Sequence, residues 1–250
     1  MEETIIRMAG LPVRFLCYSK TTIQYLKRYL RKDIPDEMDA EYTVDSRSMD
    51  LTQESLREML DNPHIEYCYL METATDVLMD AHRCMFHGVA FVWQKRAWIL
   101  TAPSGTGKST QFSNLVKLYG EEVFCLNGDK PCLEIYEDGS VNVYDSPWRG
   151  KEGWGTVDAV FPLAGIFVLK QSEENKVQRL SAGDAIVPIY CQFFSSRTTE
   201  SFCHKLFYLE KSLLRYIPIY LLENRGDFDS TKLLYRTIER IYYENNVGKN

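Results

Sequence analysis

The chain has 250 residues, 45% of them hydrophobic and 26% charged, with a formal net charge of −6. This is ordinary globular composition, and the length fits one large domain or a core with a smaller companion. The acidic balance argues against nucleic acid as a partner, whose affinity rests on Lys and Arg neutralising phosphates. No apolar run approaches the roughly 18 residues of a membrane span.

The start, MEETIIRMAG, is acidic and lacks the apolar core of a secretory signal. Seven cysteines, at positions 17, 68, 84, 125, 132, 191 and 203, form no C-x-x-C pair. Several lie in apolar runs, where a free cysteine acts as a small hydrophobe. Together these features predict a reducing, cytoplasmic protein. The chain divides into residues 1–80 and 81–250.

Residues 1–80 read as a small α+β region carrying no chemical motif. TIIRMAG and PVRFLCYS are strand-like. In TTIQYLKRYL, Ile23, Leu26 and Leu30 fall on one helical face. DLTQESLREML is a second helix, with Asp50 and Gln53 at capping-box spacing.

From residue 81 the texture changes. MFHGVAFVW and AWILT are short aromatic and β-branched strands. TAPSGTGKST follows the second. The next segment is predicted to be a helix with Phe112, Leu115, Val116 and Tyr119 on one face, closed by Gly120. EVFCLN is a strand, and PCLEIYEDGSVNVYDS a hairpin turning at EDGS. FPLAGIFVLK is the most apolar strand. SAGDAIVPIY and the stretch after Arg197 read as helices, YIPIYLLEN as a strand and FDSTKLLYRTIERIYYEN as a C-terminal helix. The expected class is α/β or α+β, with a phosphate loop at the end of a strand.

TAPSGTGKST departs from G-x-x-x-x-G-K-[ST] only at its first glycine, which is Ala102. Such a loop turns consecutive backbone N–H groups into one concavity at a helix N-terminus, where the helix dipole adds to them. Gly105 and Gly107 permit the positive φ that this wrapping needs. The nucleotide-contacting residues are expected to be Ser104, Gly105, Thr106, Gly107, Lys108, Ser109 and Thr110. Lys108 would reach the β- and γ-phosphates and Ser109 would ligate Mg²⁺. Ala102 does little harm if its dihedrals are ordinary.

Phosphoryl transfer also needs a metal, a positioned nucleophile and cations. Asp129 follows the strand EVFCLN, where it is placed to help hold Mg²⁺. His87 precedes the loop strand. Arg149 and Lys151 lie in SPWRGKEGWG, a loop whose cations can clamp a γ-phosphate or simply decorate a surface turn.

FHGVAFVWQKRAWILTAPSGTGKST resembles the core of the HPr kinase/phosphorylase and phosphoenolpyruvate carboxykinase superfamily in order, spacing and local sequence, over about residues 84–133. PLAGIFVLKQSEENKVQRLSAGDA extends the likeness to about 190. The resemblance implies a P-loop kinase core, with His87 tuning acid–base or metal chemistry near the phosphates. It also implies that Asp129 belongs to a paired-aspartate motif as general base or metal ligand. Here that motif reads Gly128-Asp129-Lys130, so one carboxylate is missing; Glu134 and Asp145 are candidate replacements. The Arg-Gly-Leu-Gly signature of true HPr kinases and the oxaloacetate-binding segments of carboxykinases are absent.

The expected activity is therefore Mg-ATP-dependent phosphorylation of a hydroxyl on a protein or an amino-acid-like small molecule. ATP is the expected donor, and the sequence does not discriminate against GTP or pyrophosphate. A nucleotide-sensing or peptide-binding accessory protein is the alternative, and a carboxykinase-like enzyme a weaker one. A homo-oligomer is compatible with all three.

Overall fold

The computed structural model describes residues 2–29, 40, 42–49, 51–156, 159–194 and 199–246. Two sheets organise these residues. The first contains β1 (Glu2–Met8), β2 (Leu11–Cys17) and β3 (Tyr42–Asp45), with β1 and β2 antiparallel and β3 parallel to β2. Strict alternation buries Ile6, Met8, Val13, Phe15 and Cys17 on one face. That face is covered by α1 (Lys20–Lys27) and α3 (Pro63–Asp80).

Helix α1 is capped by Ser19 and buries Ile23 and Leu26 as expected; Leu30 lies outside the described residues. The cap of α2 (Gln53–Asp61) differs from the expected one. Thr52 accepts from the Ser55 amide, and Asp50 lies outside the described residues. Thr52 is the residue immediately before the helix, which is the position from which a short side chain reaches the N3 amide.

The second sheet is larger. In chain order it holds β4 (Arg83–Met85), β5 (Val89–Trp93), β6 (Arg96–Thr101), β7 (Val123–Asn127), β8 (Cys132–Ile135), β9 (Val141–Tyr144), β10 (Val160–Gln171), β11 (Lys176–Arg179) and β12 (Ile219–Asn224). β10 is its spine. Its start pairs with β9 and its end with β12, while β6 runs parallel along the other edge. A strand covered on both faces needs apolar residues in succession, which is why FPLAGIFVLK reads as it does.

Helices pack on both faces of β5, β6, β10 and β12. One face, with Ala90, Val92, Ile99, Ile166 and Ile219, meets α5 (Ala182–Tyr190) and α6 (Glu200–Tyr216). The opposite face, with Phe91, Trp98, Leu100, Phe167 and Leu222, meets α4 (Lys108–Tyr119) and α7 (Phe228–Asn246). The result is a mixed α/β layering of helix, sheet and helix.

One side of α4 departs from the periodic reading. Phe112 and Leu115 are buried, but Val116 is 40% exposed. Gln111 turns inward instead, donating to Asn224 Oδ1 (3.0 Å) and Ser230 Oγ (2.7 Å) and accepting from Thr231 Oγ1 (2.7 Å). A buried polar residue with both ends satisfied takes the place that the apolar pattern gave to Val116.

The two sheets share a core. Met85, Cys132 and Trp148 from beyond residue 80 join the cluster built on Phe15, Leu26 and Leu70.

Candidate active site

Strand direction brings three separate segments to one rim. The loop leaves β6 at Thr101. β5 runs antiparallel to β6, with Val89 opposite Leu100, so its start lies at the same edge. β7 runs antiparallel to β5, with Ala90 opposite Asn127, so its end lies there too. His87, the loop at 102–107 and Asp129 are therefore neighbours although up to 42 positions apart in number. Backbone bonds stitch them: the Gly88 amide donates to the Asp129 carbonyl (2.9 Å), and the Thr101 hydroxyl donates to the His87 carbonyl (2.6 Å).

The loop turns on two glycines at the N-terminus of α4. Gly105 has φ 81° and Gly107 φ 107°, both in the left-handed region, and Gly107 opens α4 with no side chain capping it. Ala102 is not among the positive-φ residues; it is fully buried in the core face that α4 covers. The backbone at this position therefore does not call for glycine's conformational freedom. The Lys108 ammonium donates to the carbonyls of Ala102 (2.7 Å) and Pro103 (3.3 Å). Burial, reinforced by Lys130 and opposed by Asp129, lowers its pKa to about 8. Ser104, Gly105 and Thr110 are exposed, and Thr106, Gly107 and Ser109 are half-buried along the same turn.

Opposite the loop, the His87 ring is fixed by Gln192. Nδ1 lies 3.2 Å from Gln192 Oε1, and the His87 amide donates to the Gln192 carbonyl (2.7 Å). Nε2 faces Asp129 Oδ1 at 3.6 Å. Burial, with Lys108 and Lys130 adding to it, pushes the imidazole down to about 4. The ring is neutral at pH 7, with Nδ1–H assigned to Gln192 and the Nε2 lone pair directed at the site.

Lys130 does not leave a gap where a second acid is expected. Its ammonium lies 3.0 Å from Asp129 Oδ1 and over the Phe194 ring at 5.9 Å. The turn carrying both residues is built by Asn127. Its side-chain oxygen accepts from the Asp129 (2.9 Å) and Lys130 (2.7 Å) amides, and its amino group donates to Asp145 (2.7 Å). Neither Asn127 nor Gln192 stood out in the sequence. The N-G-D order is an Asx-turn signal that points to Asn127; nothing local marks Gln192, which arrives from the turn after α5, 105 positions from His87.

The remaining predicted residues are placed differently from expectation. Arg149 does not project toward the loop as a free clamp. It pairs with Asp145, whose side chain is fully buried, and lies over the Tyr29 ring at 5.3 Å. Asp145 is occupied by Arg149 and Asn127, so it supplies no second carboxylate. Glu134 is likewise engaged, by Arg83 and by the Tyr144 hydroxyl (2.6 Å). A buried carboxylate needs such partners. Lys151 is 90% exposed on the turn beyond Gly150.

Among the described residues no group of three or more His, Cys, Asp or Glu is arranged to hold a metal alone. Ser109 and Asp129 nonetheless suit Mg²⁺ that arrives with phosphates, since that ion keeps several waters and takes one or two carboxylates plus substrate oxygens. No helix of the described residues is long and apolar enough to cross a membrane.

No protein-family model matches the chain, and no curated protein matches its sequence. Among solved structures, the HPr(Ser) kinase/phosphatase from Coxiella burnetii aligns with 65% of this chain and 95% of its own, at 10% identity and a TM-score of 0.35. That likeness is distant, and the functional reading rests on this chain's own residues.

Proposed function

We propose that the protein is a Mg-ATP-dependent phosphotransferase acting on a hydroxyl. One observation carries this reading: a glycine-wrapped loop with a buried lysine faces a His87–Asp129 pair across a single sheet rim.

The loop amides and the N-terminus of α4 would receive the β- and γ-phosphates. Lys108 would exchange its two carbonyl partners for phosphate oxygens, a charge-assisted bond in place of neutral ones. Mg²⁺ entering with the nucleotide, held by Ser109 Oγ and phosphate oxygens, would supply charge neutralisation on the phosphates and leave the Asp129 carboxylate to act as base. Asp129 would accept the acceptor's proton as that oxygen bonds to the γ-phosphorus and the bridging bond to the nucleoside diphosphate breaks, the electron pair leaving with the diphosphate. His87, its ring fixed by Gln192, would pack beside the acceptor and so orient it toward Asp129. Lys130 would offset the charge spreading over the transferring group.

A non-catalytic nucleotide sensor is the second reading, favoured by the Lys130–Asp129 pair, which engages the base. A carboxykinase-like reaction finds no support in the site. The deciding experiment incubates the protein with Mg-ATP, lysate proteins and free amino acids, followed by mass spectrometry, wild type against Lys108→Ala. Phosphate gained on an acceptor with wild type alone supports transfer. Tight ATP binding with no phosphate gained and no ADP formed supports the sensor.

A further inference from the structure

We infer that the acceptor enters through a cleft between the N-terminal sheet's helices and the 147–153 loop, and that it is an acidic, hydroxyl-bearing peptide segment. This rests on the phosphotransferase reading, because the proposed base lines the cleft. The cleft encloses about 820 Å³ and has Asp129 in its lining. A volume near the top of the 300–1,000 Å³ typical of ligand clefts is several times what a free amino acid fills.

Its wall is aromatic. Tyr25 and Tyr67 lie 5.9 Å apart by ring centroids, and Tyr67 and Trp148 5.6 Å. Rings with an apolar body and a polar tip suit a peptide chain, which presents both surfaces at once. Two of these tips are already tied down, Tyr67 Oη to the Pro147 carbonyl (2.7 Å) and Trp148 Nε1 to the Tyr67 carbonyl (3.1 Å). The wall is thus preformed.

The charge is one-sided. Among the described lining residues Asp129 is the sole carboxylate, whereas Arg28, Arg149 and Lys151 are cations. Arg149 is matched by Asp145 and Lys151 lies 3.9 Å from Glu152, which leaves Arg28, over the Tyr25 ring at 4.9 Å, as the cation among the described lining residues that favours a carboxylate. An acidic segment gains at Arg28; a basic one is repelled there.

The test measures binding and transfer separately on the full chain. Fluorescein-labelled short serine peptides, one set rich in Asp and Glu and one rich in Lys and Arg, are titrated by fluorescence anisotropy. Phosphate incorporation from Mg-ATP is read on the same peptides. The acidic set is expected to bind at least about ten-fold tighter than the basic set. Arg28→Glu should remove that preference and Arg28→Lys should restore it, with melting temperature checked for each. Equal binding of both sets, or unchanged acidic-peptide binding in Arg28→Glu, overturns the cleft assignment even if phosphate is transferred to another acceptor such as a free amino acid. Charge-selective binding without phosphate transfer overturns the phosphotransferase reading and leaves the cleft standing as a peptide site.

Discussion

Lys108 is bound to carbonyls of its own loop, and its depressed pKa of about 8 gives the site a definite pH behaviour. The ammonium is charged below that value and loses its proton above it. Nucleotide affinity measured by calorimetry should therefore decline as pH rises through about 8. Lys108→Ala, which removes a charge-assisted partner, should weaken nucleotide binding about 100-fold. His87 behaves in the opposite sense. In the unfolded chain an imidazole takes up a proton near 6.5, whereas the folded site resists until about 4. Between those values the unfolded state binds more protons, so this residue lowers stability as pH falls. Asp145, raised to about 6 chiefly by burial, opposes it over part of that window. The comparison must accordingly be made against His87→Gln: urea-unfolding stability of the variant should fall less steeply toward pH 4 than that of wild type. Identical slopes would mean that His87 titrates normally.

At the scale of elements, the site depends on two loops held together. The Gly128 amide donates to the Trp154 carbonyl (2.9 Å) and the Lys130 amide to the Trp148 carbonyl (3.2 Å). A Cβ on Gly128 would lie 2.8 Å from the Arg149 carbonyl oxygen, which as backbone cannot step aside. Gly128→Ala should cost about 1–3 kcal/mol of folding stability by overpacking and displace Asp129 from the rim. A variant with unchanged denaturant midpoint would refute the close packing of these loops. Trp148 is the other tie, 4% exposed and packed on Phe15 and Tyr67. Trp148→Ala should cost about 3–5 kcal/mol by chemical denaturation. Much of this level was legible in the sequence. The period-2 strands, the Gly120 stop and the EDGS hairpin follow from local chemistry, and Gly120 (φ 52°) and Gly139 (φ 86°) have the positive φ such positions need. What was not legible depends on partners distant in sequence. The pairing of Arg149 was not legible because the chain does not announce that Asp145 is buried beside it. The inward turn of Gln111 in place of Val116 was not legible for the same reason: its partners lie on β12 and α7.

For the whole molecule, the division at residue 80 marks a change of sheet but not a break in packing. Met85, Cys132 and Trp148 complete the core of the N-terminal sheet. Residues 81–250 expressed alone should therefore expose that surface and lose fixed tertiary structure, seen as a weakened near-ultraviolet circular dichroism signal. A truncated chain with native dichroism and a cooperative melt would show two independent units. The central claim is that nucleotide phosphates occupy the 102–108 loop facing His87 and Asp129. Its most direct measurement is amide NMR of the full chain during titration with Mg-ATP. Large shifts are expected at Gly105, Gly107, Lys108 and Ser109, with smaller ones at Gly88 and Asp129. Saturable ATP binding that leaves the Gly105 and Gly107 amides unmoved, or no binding at all, would contradict it.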